Sequence, residues 1–374
     1  DRVERTRDEI LKRERAVLKE IKKMAGMDVE IWAAQSVAKA FDKAGIAFPQ
    51  TKNGSPSFTK LFLQEHQAPL AKLILEARNL NKTSGTFINT IMRHTHVDGR
   101  IHSHINQIRS DDGGTVSGPN LQQIPARDPE IGPMIRSLFL PEEGEQWAAV
   151  DFSQQEPRIL VHYAHIYGQS RGIPLEGVQE FVDGYRNDAT TDFHTMVAEM
   201  AKINRKQAKT INLGMMYGMG VNKLSEQLDI PVDEAKDLVK QYHDRVPFVK
   251  GLMQGVQNRL NDRAASGSIR SILGRKCRFD LWEPDTFGMS KAMPYQDAVK
   301  EYGETTRLKR AYTYKALNRL IQASAADMTK KAMVDIHKTG RVPMLQVHDE
   351  IAMSVKDKAE AEEIAKIMTE AVPL

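Results

Sequence analysis

The sequence predicts an α+β chain in which helices dominate and a few short strands end in carboxylates. Helical periodicity runs through most of residues 1–90 and again through 160–265. Strand signals are confined to short stretches, among them "QWAAV" before Asp151 and "PMLQVHDEIAMSV" over 343–355. No internal repeat, low-complexity tract or long linker interrupts them.

Residues 1–27 read as a charged amphipathic helix. Val3, Ile10 and Val17 recur every seven residues, with Leu11, Leu18 and Ile21 beside them. Such a helix packs one stripe on a neighbour; the alternative is that its basic face lies along nucleic acid. Gly26 and the turn-rich "PQTKNGSPS" (49–57) bracket a second helical block, which "FTKLFLQEHQAPLAKLILEARNL" continues. At residue 93 the period changes. "RHTHVDGRIHSHINQ" alternates around Asp98-Gly99, a two-residue hairpin signal. Paired through that loop, His94 and His96 face one side and His102 and His104 the other, so four converging metal ligands are not expected. "SDDGGTVSGPNLQQIP" (110–125) is a loop punctuated by Gly and Pro. Trp147 to Val150 is a short buried strand with Asp151 at its end, and Pro157 suits the first turn of the next helix. Asp233 is the expected N-cap of the helix in "PVDEAKDLVKQYHDRVP". The stretch 343–355 alternates on both sides of His348-Asp349 and predicts a hairpin.

The 374 residues suffice for two or three domain-sized units. A net charge of +4 and a pI near 8.9 fit a polyanionic partner, though many unrelated proteins share them. Cys277 is the only cysteine, which excludes an intrachain disulfide and a multi-cysteine zinc site. There is no signal peptide and no apolar run of membrane-spanning length. The first residue is Asp1, not Met, so a fragment or processed chain is expected.

Two features carry chemistry. Asp151 and Asp349 each follow an apolar run, "WAAV" and "MLQV". Carboxylates at the tips of different buried strands can share a pair of Mg²⁺ ions about 3.5–4 Å apart. Glu350 adds a third carboxylate, which alternation sends to the face opposite Asp349. The second feature is "RKQAKTINLGMMYG" (205–218), where Arg205, Lys209, Leu213 and Tyr217 stand four apart and form one helical ridge. The ridge spans roughly 18 Å at about 1.5 Å per residue. A nucleoside triphosphate matches it: phosphates on Arg205 and Lys209, sugar and base on Leu213 and Tyr217. The bland alternative is an amphipathic core helix with incidental cations. Asn204 is a candidate cap, and Gly214 and Gly218 point to close approach of a backbone or a base.

In order and spacing, "VDFSQQEPR", "RKQAKTINLGMMYG" and "QVHDE" resemble the three polymerase motifs of family A DNA polymerases, the bacterial DNA polymerase I group. "PNLQQIP" and "NRLIQASAAD" (318–327) resemble two further blocks, and "QWAAVDFSQQEPRILVHYA" is most similar to the phage and prophage branch. The resemblance implies a right-hand fold, with a helical thumb over 1–90, an antiparallel-sheet palm over 91–159 and 319–374, and helical fingers over 160–318. It implies an enzyme that adds dNMPs to a primer 3′-hydroxyl, in phage DNA replication, with two Mg²⁺ ions.

Residue by residue, Asp151 and Asp349 would be catalytic and bind the metals together with the Phe152 carbonyl, and Glu350 would be a further catalytic carboxylate beside them. Arg205, Lys209 and His194 would hold the triphosphate, Lys209 also protonating the leaving group. Glu156 would be the steric gate against a ribose 2′-hydroxyl, kept in place by Tyr217, with Gln155 and Leu213 also at the nucleotide. Asn120, Gln122, Arg158, Asn318, Gln322 and His348 would contact primer or template. The partners implied are primer-template DNA and dNTPs in the cytoplasm of a bacterial host. A proofreading exonuclease domain before Asp1 and other replication proteins are further expected partners; "MDVEIW" (27–32) lacks the carboxylate constellation of an exonuclease.

The chain departs from the family pattern in three places. Leu213 stands where most relatives carry Phe or Tyr. "TVSG" runs directly into "PNLQQIP" without a short Arg-bearing stretch; either that loop is lost, or, the favoured reading, its residues are missing from this sequence and form a mobile loop when DNA is absent. The chain also stops at "AVPL", where relatives continue into another strand. Two rivals remain: a single-subunit phage-type RNA polymerase, disfavoured by the bulky Glu156, and an inactive DNA-binding subunit, disfavoured by the joint presence of Asp151, Asp349 and Lys209.

Overall fold

The computed structural model describes residues 2–51, 53–95, 97–107, 116–125, 131–228, 230–262, 266–286 and 290–374. The chain forms two compact units, Asp1–His104 with Ser117–Leu140, and Ile105–Val116 with Pro141–Leu374.

The first unit is helical. Helix α1 (Arg2–Ala25) buries Ile10, Val17, Ile21 and Ala25, and Gly26 ends it with φ +62°. Helices α2 (Ala34–Lys43) and α3 (Lys60–Glu65) precede α4 (Pro69–Lys82), which packs along α1. Arg13 and Glu76 pair across these two helices at 2.7 Å. The buried Glu14 carboxylate accepts from the Asn81 amide at 2.9 Å. Helix α4 continues through a π-helical turn, Thr83–Ile88, into α5 (Asn89–His94).

The hairpin expected around Asp98-Gly99 does not form. The Gly99 amide returns to the Thr95 carbonyl at 2.9 Å, closing the end of α5. The Asp98 carboxylate takes the Arg100 amide at 2.9 Å and the His102 ring at 2.7 Å. This Asx-type turn competes with the cross-strand pairing a two-residue hairpin needs. His96 lies outside the described residues. Strands β1 (His104–Asn106) and β2 (Val116–Gly118) lie where the chain passes between units, and α6 (Ile131–Arg136) belongs to the first.

The second unit opens with β3 (Gln146–Asp151), followed by α7 (Gln155–Ser170), α8 (Val178–Asn187), α9 (Phe193–Ala201), α10 (Arg205–Met216), α11 (Val221–Leu228), α12 (Val232–Arg245) and α13 (Pro247–Asn261). Pro231, not Asp233, is the N-cap of α12; Asp233 lies in the first turn, where its charge suits the positive helix end. The hairpin β4 (Ser268–Arg270) and β5 (Lys276–Arg278) follows. Next come β6 (Leu281–Pro284), β7 (Met293–Pro294), α14 (Tyr295–Tyr302) and β8 (Leu308–Arg310), with sheet order β7-β6-β8. The long α15 (Ala316–Lys338), the predicted hairpin β9 (Leu345–Val347) and β10 (Glu350–Val355), and α16 (Lys358–Glu370) complete the chain. An antiparallel sheet in the order β3-β10-β9 holds the middle.

Helix α15 joins two cores. Leu317, Leu320, Ile321 and Met328 enter the helical core with Phe181, Phe193 and Phe248. Further along, Ala332 and Ile336 pack with Ile351, Met353 and Val355 of β10 and Ile364 and Met368 of α16. The architecture is α+β, helices with antiparallel sheet.

Candidate active site

The β3–β10 ladder sets the carboxylates. Glu350 stands directly across from Asp151, and Ile351 across from Val150. Cross-strand partners share a face and neighbours alternate. Val150, Ile351 and Met353 thus face the helices, while Asp151 and Glu350 occupy the other face. Asp349 lies in the two-residue turn between β9 and β10, where His348 has φ +56°. The Gln346 amide closes that turn on the His348 carbonyl, and the Phe152 amide donates to the Asp349 carbonyl at 3.4 Å. Sequence reasoning paired Asp151 with Asp349. The register makes Glu350 the cross-strand partner of Asp151, with Asp349 one residue beyond.

Among the described residues no group of three or more His, Cys, Asp and Glu side chains forms a metal cage. A Mg²⁺ site fits this tip nonetheless, because that ion uses one or two protein carboxylates and takes its other oxygens from water and phosphate. The donors that the resemblance implies, Asp151, Asp349 and the Phe152 carbonyl, would all offer hard oxygens, and their residues lie where β3 ends.

The cationic ridge lies on α10. Asn204 and Gln207 form a capping box at its start, Asn204 accepting at 2.8 Å and Gln207 at 3.2 Å. Arg205 is paired with Asp192 at 2.6 Å. Asp192 also caps α9, taking the Thr195 amide at 2.7 Å. Burial raises the pKa of Asp192, but hydrogen bonds from Arg205 and Thr195 outweigh it and hold the carboxyl at about 2. The strained Gln154, φ +53°, fixes this loop by donating to the Thr191 carbonyl and accepting from the Phe193 amide, both at 2.8 Å.

His194 is buried, and its Nδ1 lies 2.9 Å from the Asn212 amide nitrogen. Burial pushes the imidazole down to about 4; Lys209 and Arg205 add to this and Asp192 opposes it. The ring is therefore neutral at pH 7. With Nδ1 accepting from Asn212, Nε2 carries the proton and remains a donor.

At the other end, the Tyr217 hydroxyl donates to Glu156 Oε2 at 2.8 Å, and the Gln322 amide donates to Glu156 Oε1 at 2.6 Å. Burial, then the Glu156 charge and hydrogen bond, raise the Tyr217 pKa, so the phenol keeps its proton. Tyr217 is the C-cap of α10, and Gly218 beyond it has φ +67°. Gly218 donates to Met215 at 3.2 Å and Met219 to Gly214 at 2.8 Å, a Schellman ending that calls for glycine. A Cβ on Gly214 would meet Met219 Sδ at 3.3 Å, and one on Gly218 the Tyr314 carbonyl at 3.2 Å. The glycines thus serve the helix ending and the chain packed on it. Leu213, between the two ends, packs on the helical core.

The remaining predicted residues are dispersed. Gln155 is buried and donates to Ala325 at 3.3 Å and Thr329 at 3.2 Å, tying α7 to α15. Arg158 stacks on Tyr185 at 4.3 Å and donates to the Ser153 and Ala189 carbonyls at 3.0 and 2.6 Å. Asn318 stands one helical turn before Gln322 on α15. Asn120 caps the short 3₁₀ turn Leu121–Gln123, which contains Gln122, in the first unit. Sequence reasoning missed Asp192, Asn212 and Gln154. The first had a visible signal, an Asp just before a helical run.

The profile of DNA polymerase family A matches residues 1–373. The chain belongs to this family. It is 35% identical over 426 aligned residues to a DNA-directed DNA polymerase of Pseudomonas phage M6, covering 100% of this chain and 60% of that protein. DNA polymerase DpoZ of Acinetobacter phage SH-Ab 15497 is 29% identical, over 90% of this chain and 56% of the relative. Thermostable DNA polymerase I of Thermus aquaticus is 32% identical, over 86% and 36%. Among solved structures, the POL domain of Pol1 from M. smegmatis, in complex with DNA primer-template and dNTP, matches with a TM-score of 0.76 at 26% identity, over 100% of this chain and 64% of that one. The chain thus spans about 60% or less of these curated relatives' length. Family A DNA polymerases are metal-dependent. Among the described residues no helix is long and apolar enough to cross a membrane.

Proposed function

We propose that this chain is the polymerising part of a phage-type DNA polymerase, adding dNMPs to a primer 3′-hydroxyl under a DNA template. The observation that carries the reading is the Glu156–Tyr217–Gln322 lock at one end of a helix whose other end presents Arg205 and Lys209. A carboxylate held by two donors cannot swing away, so it excludes a 2′-hydroxyl and favours deoxynucleotides. That also disfavours an RNA polymerase.

In this reading Arg205, Lys209 and the His194 Nε2–H orient the triphosphate, and Lys209 gives its proton to the departing pyrophosphate. Arg205 is already neutralised by Asp192, so it exchanges one carboxylate for phosphate without being left unpaired. Asp151, Asp349 and the Phe152 carbonyl would hold two Mg²⁺ ions, with Glu350 adjoining. When bound, these ions activate the 3′-hydroxyl and neutralise phosphate charge. Leu213 gives apolar contact under the sugar. Gln322, Asn318, Arg158 and His348, with Asn120 and Gln122, contact primer or template. Residues 1–90 would be the thumb, the β3-β10-β9 sheet the palm and the helical middle the fingers. The protein works in the host cytoplasm, beside a separate proofreading domain and other replication proteins.

Primer extension tests this: dNTPs are incorporated, rNTPs poorly, and Asp349→Ala is inactive. Activity that survives Asp349→Ala removes the metal assignment; no extension by the wild-type chain removes the polymerase reading.

A further inference from the structure

Arg205 and Lys209 stand one turn apart on α10 but differ in what they hold. Among the described residues Lys209 makes no ion pair. Arg205 is bound twice to one carboxylate: its Nη2 donates to Asp192 Oδ2 at 2.6 Å and its Nε to Oδ1 at 3.3 Å. The Arg205 side chain is 55% exposed, and so open a pair contributes little to holding α9 against α10. What it does change is the affinity of Arg205 for a phosphate, which must first displace a carboxylate.

The two partners are not equally free. Asp192 Oδ1 accepts from the Thr195 amide at 2.7 Å, which fastens the carboxylate to the start of α9. Gln154 grips the chain on either side of it, at the Thr191 carbonyl and the Phe193 amide, both at 2.8 Å. Further back, the Thr191 hydroxyl donates to the Gly184 carbonyl at 2.8 Å. Asp188 takes the Thr190 amide and hydroxyl at 2.8 and 2.7 Å, and Arg158 donates to the Ala189 carbonyl at 2.6 Å. The Asp192 carboxyl, held at about 2, stays ionised at neutral pH. Arg205 is a long, exposed side chain, so it is the partner that can move.

We propose that Asp192 is a fixed counter-ion that takes Arg205 back from pyrophosphate and so sets how weakly the site holds its product. While a polyphosphate is bound, Arg205 turns to it, and the Asp192 carboxylate is left beside an anion. Carboxylate and polyphosphate then compete for one guanidinium. Pyrophosphate, once cut from the nucleoside, has no contact with the Leu213 and Tyr217 end of the ridge. The same competition therefore removes a larger share of what holds pyrophosphate than of what holds the intact triphosphate. Asp192 acts through Arg205 and is a positioning residue. The inference rests on the polymerase reading for the identity of the polyphosphate.

The test is calorimetric titration of the 374-residue chain with inorganic pyrophosphate in Mg²⁺ buffer, beside inhibition of primer extension by the same anion. Asp192→Asn keeps an oxygen that caps α9 and a neutral acceptor for Arg205, and removes only the charge. It should bind pyrophosphate about 10-fold more tightly, and pyrophosphate should inhibit extension at about 10-fold lower concentration. Asp192→Ser, which also caps a helix, should show the same gain. A merely structural role for Asp192 predicts weaker binding, not tighter. In an Arg205→Ala background most of the gain should vanish, because the carboxylate works through the arginine. Unchanged or weaker pyrophosphate binding in both Asp192 variants, or a full gain without Arg205, overturns the proposal. Failure of the polymerase reading is seen separately, as absence of primer extension by wild type, and leaves the titration readable.

Discussion

The sheet tip and helix α10 present opposite charges and are built in opposite ways. At the tip, backbone register does the positioning: Asp151 and Glu350 are set by a ladder whose other face is sealed by Val150, Ile351 and Met353. On α10, side-chain partners do it: Asp192 for Arg205, Asn212 for His194, Glu156 and Gln322 for Tyr217. A ladder tolerates loss of a side chain, because its hydrogen bonds are main-chain. A partnered site does not, because each removal leaves a polar group to find another bond. Substitutions at the tip should therefore change chemistry with little change in stability. Substitutions around α10 should change specificity and stability together.

The largest effect separates the carboxylates. Asp151→Asn should lower kcat by roughly 1000-fold, since it removes a carboxylate that would hold the Mg²⁺ ions. Its cross-strand partner Glu350 should matter less, with Glu350→Gln costing about 10-fold. Both proteins should melt within a few degrees of wild type. Single-turnover extension and thermal unfolding measure the two quantities, and equal kinetic losses would erase the distinction the register draws.

Next is the lock. Glu156→Ala should relax discrimination against ribonucleotides by about 100-fold, read as the ratio of kcat/KM for dNTP and rNTP. Gln322→Ala should relax it less, because Tyr217 still donates to the same carboxylate. Leu213→Tyr addresses the one apolar rung of the ridge. Leu213 offers neither a ring for the sugar nor a hydroxyl to replace a missing 3′-hydroxyl. The wild-type chain should strongly reject dideoxynucleotides, and the Tyr variant should accept them about 10-fold better in competition with dNTPs.

Much of this was legible in the sequence because it is local. The four-residue ridge of α10, Asp151 at the end of "WAAV" and the His348-Asp349 hairpin need only periodicity and turn chemistry, and all three form. What was not legible involves partners distant in sequence or competition between local choices. Asn212 meets His194 across 18 residues, and Gln322 meets Glu156 across 166. No spacing rule pairs such residues. Asp98-Gly99 carried a hairpin signal, yet the Asp98 side chain bonded its own neighbours instead. Gly218 was legible as unusual, but its reason, a Schellman ending against Tyr314, needs the three-dimensional chain.

The smallest expected effect tests whether the α10 site is coupled to stability. His194 is neutral when folded, with a pKa of about 4 caused chiefly by burial, whereas an unfolded histidine titrates near 6.5. Between these values the unfolded chain binds a proton that the folded chain refuses. Stability linked to His194 is therefore complete above pH 6.5 and falls as pH drops toward 4, by at most about 1.4 kcal/mol per unit. Asp192 stays ionised across this range, because its own pKa is held at about 2. The Asp192 hydrogen bond and charge raise the Arg205 pKa further, so that guanidinium stays cationic throughout. His194→Gln keeps a hydrogen-bonding side chain but cannot titrate. The variant should be less stable than wild type at pH 7.5, and the gap should narrow steadily toward pH 4.5 in urea unfolding. A constant gap would mean that His194 protonates as easily folded as unfolded, and that the buried, neutral donor assigned to the triphosphate is wrong.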